Sequence, residues 1–543
     1  MSKTYSLRIR KTFKTIDWKL LVFLLLFLNV KLVIKLAAVI CIYFLRPDFK
    51  FNFRFRGSRL PLFYPVIIGI ALLNYFITSG FSIHNYNIVF LSGICFWLFS
   101  ILAIHQVKLS VEDNEPAVIH QTIHFFFVIN AIVSIITYIF IAYQTRTINP
   151  YLYQGEYQKY FIGTGDYIKG ISFDTSTTNA LLNAFGVIYF LQRKKTMMVF
   201  LCMIILLMTG SNITNIILCL VLLFVFVFQG DRDQKSLVVI CFFFLVMFMT
   251  KISPQNNNYL VASFDNIFGT EVGISHRSIA QASLKESPDS VLTPDERKQK
   301  IAMLYIDSIS FLQNERQNFI NIQTPIPKEN LSIPVDDINA PEFQHKSFVT
   351  PVEKNMFQFI AANAADLPIS SNSSFQPKYP GKVTAWKQTI NYLKQHPAKI
   401  ITGLGMGNFS SKLAFKTSAI KVAGTYPEKY RYVSNAFLTN HLDLYLFFFS
   451  KADGLHSIIN NPASVYDQLL SEYGLLGLSA FFIFYVGFFV KKVKLLSYGI
   501  PLLLLLSGIL FFDYWFEQLS IIVFFELLMF LNLKEKAFKY DSV

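Results

Sequence analysis

The residues best suited to chemistry lie in the stretch from Pro462 to Leu478, PASVYDQLLSEYGLLGL, where a long polar region gives way to the apolar run Ala480 to Val490. Its first half is polar and turn-prone, and its second half reads as a helix entering lipid. Glu472 stands just before the Gly474-Leu-Leu-Gly477 pair, close to that entry point. A carboxylate at that depth is costly unless it has a partner or a task. Upstream, ten Lys or Arg residues face a single acid, Glu428, between Lys378 and Arg431. That imbalance points to a local anionic partner. Between the two lies Gly403-Leu-Gly405-Met-Gly407-Asn408-Phe409. Closely spaced glycines let backbone N–H groups converge on an anion, although the strand–helix setting and the lysine of a nucleotide loop are missing.

Composition fixes what kind of chain positions these residues. Of its 543 residues, 53% are hydrophobic and 16% aromatic, and the mean hydropathy is +0.42. A chain this apolar, with several runs near the roughly 20 residues that cross a bilayer, reads as an all-α polytopic membrane protein. The net charge of +15 is then explained by positive-inside bias and an anionic lipid-linked partner rather than by nucleic acid. All five cysteines (Cys41, Cys95, Cys202, Cys219, Cys241) lie in apolar runs, so neither a disulfide nor a metal site is expected. Met1 to Lys19 is basic and runs into the apolar stretch with no small-residue cleavage site, so no cleaved signal is expected.

Lysine and arginine clusters set the orientation. Basic residues flank Leu20–Leu45 on both sides, which asks for a short helical hairpin turning near Asn29-Val30-Lys31, with Lys31 and Lys35 near the outer surface. Further spans are expected at Leu60–Ser79, Tyr86–His105, Ile123–Tyr143, Ser176–Leu191, Thr196–Thr209, Ile213–Phe228 and Ser236–Thr250. Three more follow at Val465–Val490, Leu495–Phe512 and Glu517–Leu533. With the hairpin this gives about twelve crossings, both termini cytoplasmic. The chain divides into an N-terminal membrane region (1–250), an outward loop domain (251–463) and a C-terminal membrane region (464–543). Within the loop, Val383, Trp386, Ile390 and Leu393 recur at helical spacing and put one apolar face on a helix from Lys382 to Lys394, ended by His396-Pro397.

The order of these pieces resembles the O-antigen ligase and O-antigen polymerase superfamily. A helix begins near a basic residue with a Trp four positions on (Lys382, Trp386). A Pro follows, then Gly-Leu-Gly-x-Gly-Asn-Phe (Pro397, Gly403 to Phe409). Last comes a turn into Tyr466 and Gln468 that ends Glu472-Tyr-Gly474-Leu-Leu-Gly477. Thr209-Gly210-Ser211 resembles that family's Ser-Arg turn. The resemblance implies a metal-independent glycosyltransferase without cofactor, at the periplasmic face of a bacterial inner membrane. Its donor would be an oligosaccharide linked through diphosphate to undecaprenol. Its acceptor would be a glycan in a repeat-unit polymerase, or lipid A-core or protein in a ligase. A reading from another class, a flippase or transporter, predicts charged residues deep in several spans.

The chain departs from the ligase pattern at three places. Ala463 stands where the resemblance puts a His, Asn212 follows Ser211 where it puts an Arg, and Lys382 precedes Trp386 in place of Arg. Lysine neutralises a diphosphate without arginine's bidentate fork. These departures favour a polymerase or another divergent branch. The group that accepts the acceptor's proton is then expected to be Glu472 or His456, with Asp467 as either a third candidate or a helix cap. Substrate contacts are expected from Lys382, Lys387, Asn212, Gly405, Gly407, Arg431, Tyr466 and Gln468.

Overall fold

The computed structural model describes residues 15–55, 57–78, 80–146, 148–152, 164–252, 380–419, 426–449 and 461–541. Most of the loop region 253–379, with Lys378, and the stretch holding His456 lie outside the described residues. Among the described residues the protein is all-helical, with no strand.

The expected hairpin is present. Helix α1 (Trp18–Phe27) starts from Asp17, whose carboxylate accepts the Leu20 N–H at 3.1 Å, and α2 (Leu32–Leu45) returns after a four-residue turn. Lys35 lies near this turn but faces inward. It is only 4% exposed, and its ammonium donates to Phe27 O at 2.8 Å and to Ser520 Oγ at 2.6 Å. A turn carbonyl and a hydroxyl give this buried amine the partners that bulk water would otherwise supply.

Next come α3 (Phe63–Ile77), α4 (His84–Asp113), α5 (Pro116–Thr145), α6 (Ser176–Gln192), α7 (Thr196–Met208), α8 (Asn212–Gln229) and α9 (Arg232–Ile252). After the loop region, α15 (Val465–Val490), α16 (Gly499–Ile509), the short α17 (Trp515–Gln518) and α18 (Ser520–Asp541) complete the bundle. Of these, α4, α5, α8, α9 and α15 are long and apolar enough to cross a membrane, and α1, α2, α3, α7 and α16 are shorter apolar helices. Large apolar side chains stand out from the bundle, among them Val33, Phe44, Ile136 and Leu220 at 77, 84, 61 and 63% exposure. A belt of this kind suits lipid rather than water.

The turns gather at two ends. At one, Lys534 Nζ donates to the carbonyls of Val111, Glu112 and Asn114, Arg193 pairs with Glu535, and Lys194 pairs with Asp231. At the other, Val30 N–H reaches Ser172 O at 2.8 Å and Asn149 Nδ2 reaches Ile252 O at 3.0 Å. Helix α18 runs through the middle, with every residue from Ile521 to Leu531 at most 1% exposed. Leu519, at φ 69°, separates it from α17. The expected span beginning at Glu517 is therefore interrupted, and Glu517 precedes the long helix.

Charge lies mainly at the ends, with Glu526 as an interior exception. Glu526 is fully buried in α18 and accepts a hydrogen bond from Tyr64.

Helices α6 and α7 pack closely at Gly186, where an added Cβ would stand 2.7 Å from Cys202 Sγ and from the Phe127 ring. Gly186→Val is expected to destabilise the bundle by about 1–3 kcal/mol, the usual cost of overpacking. Thermal unfolding in detergent would read this as a lower Tm.

Candidate functional site

The region 380–449 forms a cap over the second end of the bundle. Helix α10 (Gly381–Gln395) stops at His396, as its Pro397 requires, and is followed by α11 (Ala398–Thr402), α12 (Lys412–Thr417), α13 (Asn435–Asn440) and α14 (Leu442–Phe449). The buried face of α10 differs from the expected one. Gly381, Ala385, Thr389 and Leu393 are buried, whereas Ile390 is 41% exposed. Small residues were passed over because they carry little hydrophobic signal, yet they are what lets a helix approach α15 closely.

The glycine loop does converge its N–H groups on an anion, and that anion is Glu472 itself. Phe409 N–H donates to Glu472 Oε1 at 3.1 Å, and the N–H groups of Gly407 and Asn408 and the Ser411 hydroxyl surround the same carboxyl. Leu404 N–H and Gly405 N–H donate to Ser471 O and Glu472 O, each at 2.9 Å. The backbones meet where Gly403 (φ 76°) faces Gly474 (φ 66°), and a Cβ on either would stand 2.6 Å from the other's nitrogen. Asn408 completes the lock. Its amide donates to Tyr86 OH at 2.9 Å and to Leu404 O at 3.1 Å, and its carbonyl accepts from Tyr432 OH at 2.6 Å. Gly407 thus faces the fold's own carboxyl, and Gly405 holds the Glu472 carbonyl. Glu472, expected at the membrane edge, is fully buried.

A second group forms around the start of α15. Lys382 Nζ donates to Asn461 O at 2.9 Å and to Ala463 O at 2.5 Å and lies over the Phe512 ring. Burial pulls Lys382 down to about 7, opposed by the carboxylates of Asp513 and Asp467. It clamps the turn that carries Ala463, which is 3% exposed. Asp467 does not cap its helix. It is fully buried, facing Lys382 and the hydroxyls of Ser410 and Thr389, and neither carboxyl oxygen completes a hydrogen bond. Nearby, Tyr514 OH bonds Ser410 Oγ at 2.9 Å and also Tyr445 OH.

The third group was missed by sequence reasoning. Glu517, partly exposed, accepts Gln468 Nε2 at 2.7 Å and Leu413 N–H at 3.2 Å. Beside it, Lys412 and Lys416 lie four apart on α12, half-buried, and neither ammonium has a carboxylate within 4.0 Å among the described residues. Burial and then the Glu472 charge push Glu517 up to about 8, while both lysines act against them. The available signal was the spacing of Lys412 and Lys416 and an acid at the outer end of an apolar run. Counting charges showed the excess of cations without showing which ones lacked partners.

The remaining expected contacts fall elsewhere. Tyr466 turns toward α16, donating to Ser507 O at 2.9 Å. Lys387 and Arg431 are exposed, the latter's carbonyl held by Asn85. Asn212 opens α8 at the turn after Thr209, against which Gly165 packs. Residue His456 lies outside the described residues. No group of three metal-ligating side chains occurs among the described residues.

No family model, curated protein or solved structure matches the chain.

Adding a methyl at Gly403 or Gly474 should cost more than the approximately 1–3 kcal/mol of a strained backbone, because the neighbour is backbone too. Gly403→Ala and Gly474→Ala are expected to lower Tm sharply, whereas Gly69→Ala, with nothing within 4 Å of its added Cβ, should leave Tm unchanged or slightly raised. Equal Tm values for all three would remove the backbone contact from the account.

Proposed function

We propose that this protein is a membrane glycosyltransferase that passes a glycan from a lipid-linked diphosphate to an acceptor hydroxyl, and that it acts as a repeat-unit polymerase. The observation that carries the reading is the Lys412–Lys416 pair, two half-buried cations with no carboxylate within 4.0 Å among the described residues, beside a partly exposed carboxyl, Glu517. Glycan transfer needs these two functions side by side. The departing lipid diphosphate gains negative charge, which fixed cations stabilise, and the incoming hydroxyl needs a proton acceptor.

In this reading Lys412 and Lys416 neutralise the diphosphate, and Glu517, oriented by Gln468, takes the proton as the hydroxyl oxygen attacks the sugar carbon and the diphosphate leaves. Glu472 holds the glycine loop and thereby α12, a positioning role. Lys382 serves in the same way, by fixing the turn before α15. The polymerase alternative is favoured over the ligase because position 463 is an alanine whose carbonyl is already bound by Lys382. Among the described residues, that turn itself (461–464) carries no imidazole.

The chain would make about twelve passes through a bacterial inner membrane, counting the short helices. The end rich in Lys and Arg faces the cytoplasm, and the cap with its site lies outside. With the five natural cysteines replaced, a cysteine in place of Ile148, which is 97% exposed, should react with an impermeant thiol reagent in cells whose outer membrane has been opened. One in place of Glu115 should not react. The opposite pattern inverts the model.

Turnover of a purified lipid-linked oligosaccharide tests the chemistry. Glu517→Gln is expected to lose about 100-fold or more in rate, the usual share of general base catalysis, with Tm nearly kept. For Glu472→Gln the loss should appear in Tm. Since Glu517 acts when deprotonated, the wild-type rate should rise with pH through about 8, and Glu517→Gln should lose that rising limb. Wild-type turnover by Glu517→Gln would sink the assignment.

A further inference from the structure

At the opposite end of the bundle, an open pocket of about 600 Å³ lies between the loop after α2, the end of α4 and the turn after α15. Its walls carry Lys50, Arg54, Arg59, Lys108 and Lys492 against Asp48 and Glu112, a surplus of three positive charges. The two acids are already engaged. Glu112 pairs with Arg59 and, at 3.4 Å, with Lys108, and Asp48 lies 4.0 Å from Arg59. The ammonium and guanidinium groups of Lys50, Arg54 and Lys492 have no carboxylate within 4.0 Å among the described residues.

A general bias toward basic residues at one membrane face accounts for their number but not for their convergence. Three other cations at this end are satisfied locally. Lys534 is held by three carbonyls, Arg193 by Glu535, and Lys194 by Asp231. The pocket is also held open by backbone bonds. The Arg59 guanidinium donates to Lys50 O at 2.8 Å, and its backbone N–H reaches Asn52 O at 3.3 Å, so Arg59 folds back on Lys50 and Asn52 after Gly57 at φ 74°.

The rim points to what fills it. The segment Phe49-Lys-Phe-Asn-Phe-Arg-Phe55 alternates aromatic with mainly basic residues. Phe51 and Phe53 pack inward against the core, whereas Phe49 and Phe55 are 63 and 84% exposed. Phe44 and Val493, close by in sequence to the pocket-lining residues, are 84 and 43% exposed. Aromatic side chains and cations together at the ends of apolar helices match the interface of a bilayer, where rings enter the acyl region and cations meet phosphates.

We propose that this pocket binds the phosphate headgroup of an anionic lipid in the adjoining leaflet. Lys50, Arg54 and Lys492 contact the phosphate, Arg59 and Lys108 add to the field, and Phe49 and Phe55 lie against the acyl chains. A soluble phosphate compound shares the phosphate chemistry but has no use for the apolar rim.

The full chain would be placed in phosphatidylcholine nanodiscs containing spin-labelled phosphatidylglycerol, and the immobilised fraction compared with that of spin-labelled phosphatidylcholine. Wild type is expected to prefer phosphatidylglycerol, and each of Lys50→Ala, Arg54→Ala and Lys492→Ala should weaken that preference about fivefold, with Tm unchanged. Lys194→Ala removes a charge from the same face outside the pocket and should leave the preference intact. Equal binding of the two lipids by wild type overturns the proposal. So does an equal loss in Lys194→Ala, which would mean diffuse surface charge. Displacement of the labelled lipid by millimolar glycerol 3-phosphate would assign the pocket to a soluble phosphate and overturn the lipid.

Discussion

The structure of the capped end of the bundle depends on one contact, the passage of two backbones at Gly403 and Gly474. Neither residue leaves room for a side chain, and both adopt a left-handed conformation that glycine alone enters freely. Once the backbones are this close, the N–H groups of Leu404 and Gly405 find the carbonyls of Ser471 and Glu472, and the loop beyond them closes over the Glu472 carboxyl. A buried carboxyl is costly alone, and the Phe409 N–H on its Oε1 offsets part of that cost and makes the group a restraint on the loop. Everything downstream in the cap inherits its position from this junction. Helix α12 begins two residues after Ser410, and its Leu413 N–H reaches Glu517 on the far side of α15.

This junction also explains why the short motifs belong together. Read along the chain, Gly403 to Phe409 and Glu472 to Gly477 are separate signals, each able to mean several things. In the fold they are the two halves of a single joint, with Asn408, Tyr86 and Tyr432 as its pins. Motif order was therefore legible because it encodes packing, and the chemical reading of the same residues was less so. Hydropathy found the hairpin and the positions of most helices, since the apolar runs are long and their turns carry basic or polar residues. It did not find the break at Leu519, because one residue at positive φ leaves no trace in hydropathy. Nor did it find the interior acid Glu526, which looked like part of an apolar run that tolerates one polar residue.

The candidate site was hidden for a related reason. Whether a charge is spent on the fold or left for a ligand depends on its neighbours in space. Lys382 and Lys412 look equivalent in sequence. One is occupied by two carbonyls from the turn before α15, and the other has no ion-pair partner within reach among the described residues. The same contrast separates Glu472 from Glu517. The first is enclosed by donors from its own loop, and the second is partly exposed beside two cations. The opposite end of the molecule repeats the distinction, with three of its basic residues satisfied locally and a few gathered around a pocket.

The position of α18 bears on how the molecule is assembled in time. Its residues from Ile521 to Leu531 touch protein on every side, and its Glu526 has its partner, Tyr64, on α3. Yet it is the last of the described helices to leave the ribosome. The earlier helices must therefore enter the bilayer without the element that fills their centre, and they surround an unfilled slot until α18 has been made. During that interval the Tyr64 hydroxyl and the Lys35 ammonium, which later meet Glu526 and Ser520, face lipid or trapped water. The bundle is thus closed from within by the last of its described helices, and an insertase or chaperone that holds the slot open would act after the other described helices are in place rather than on the hairpin α1–α2.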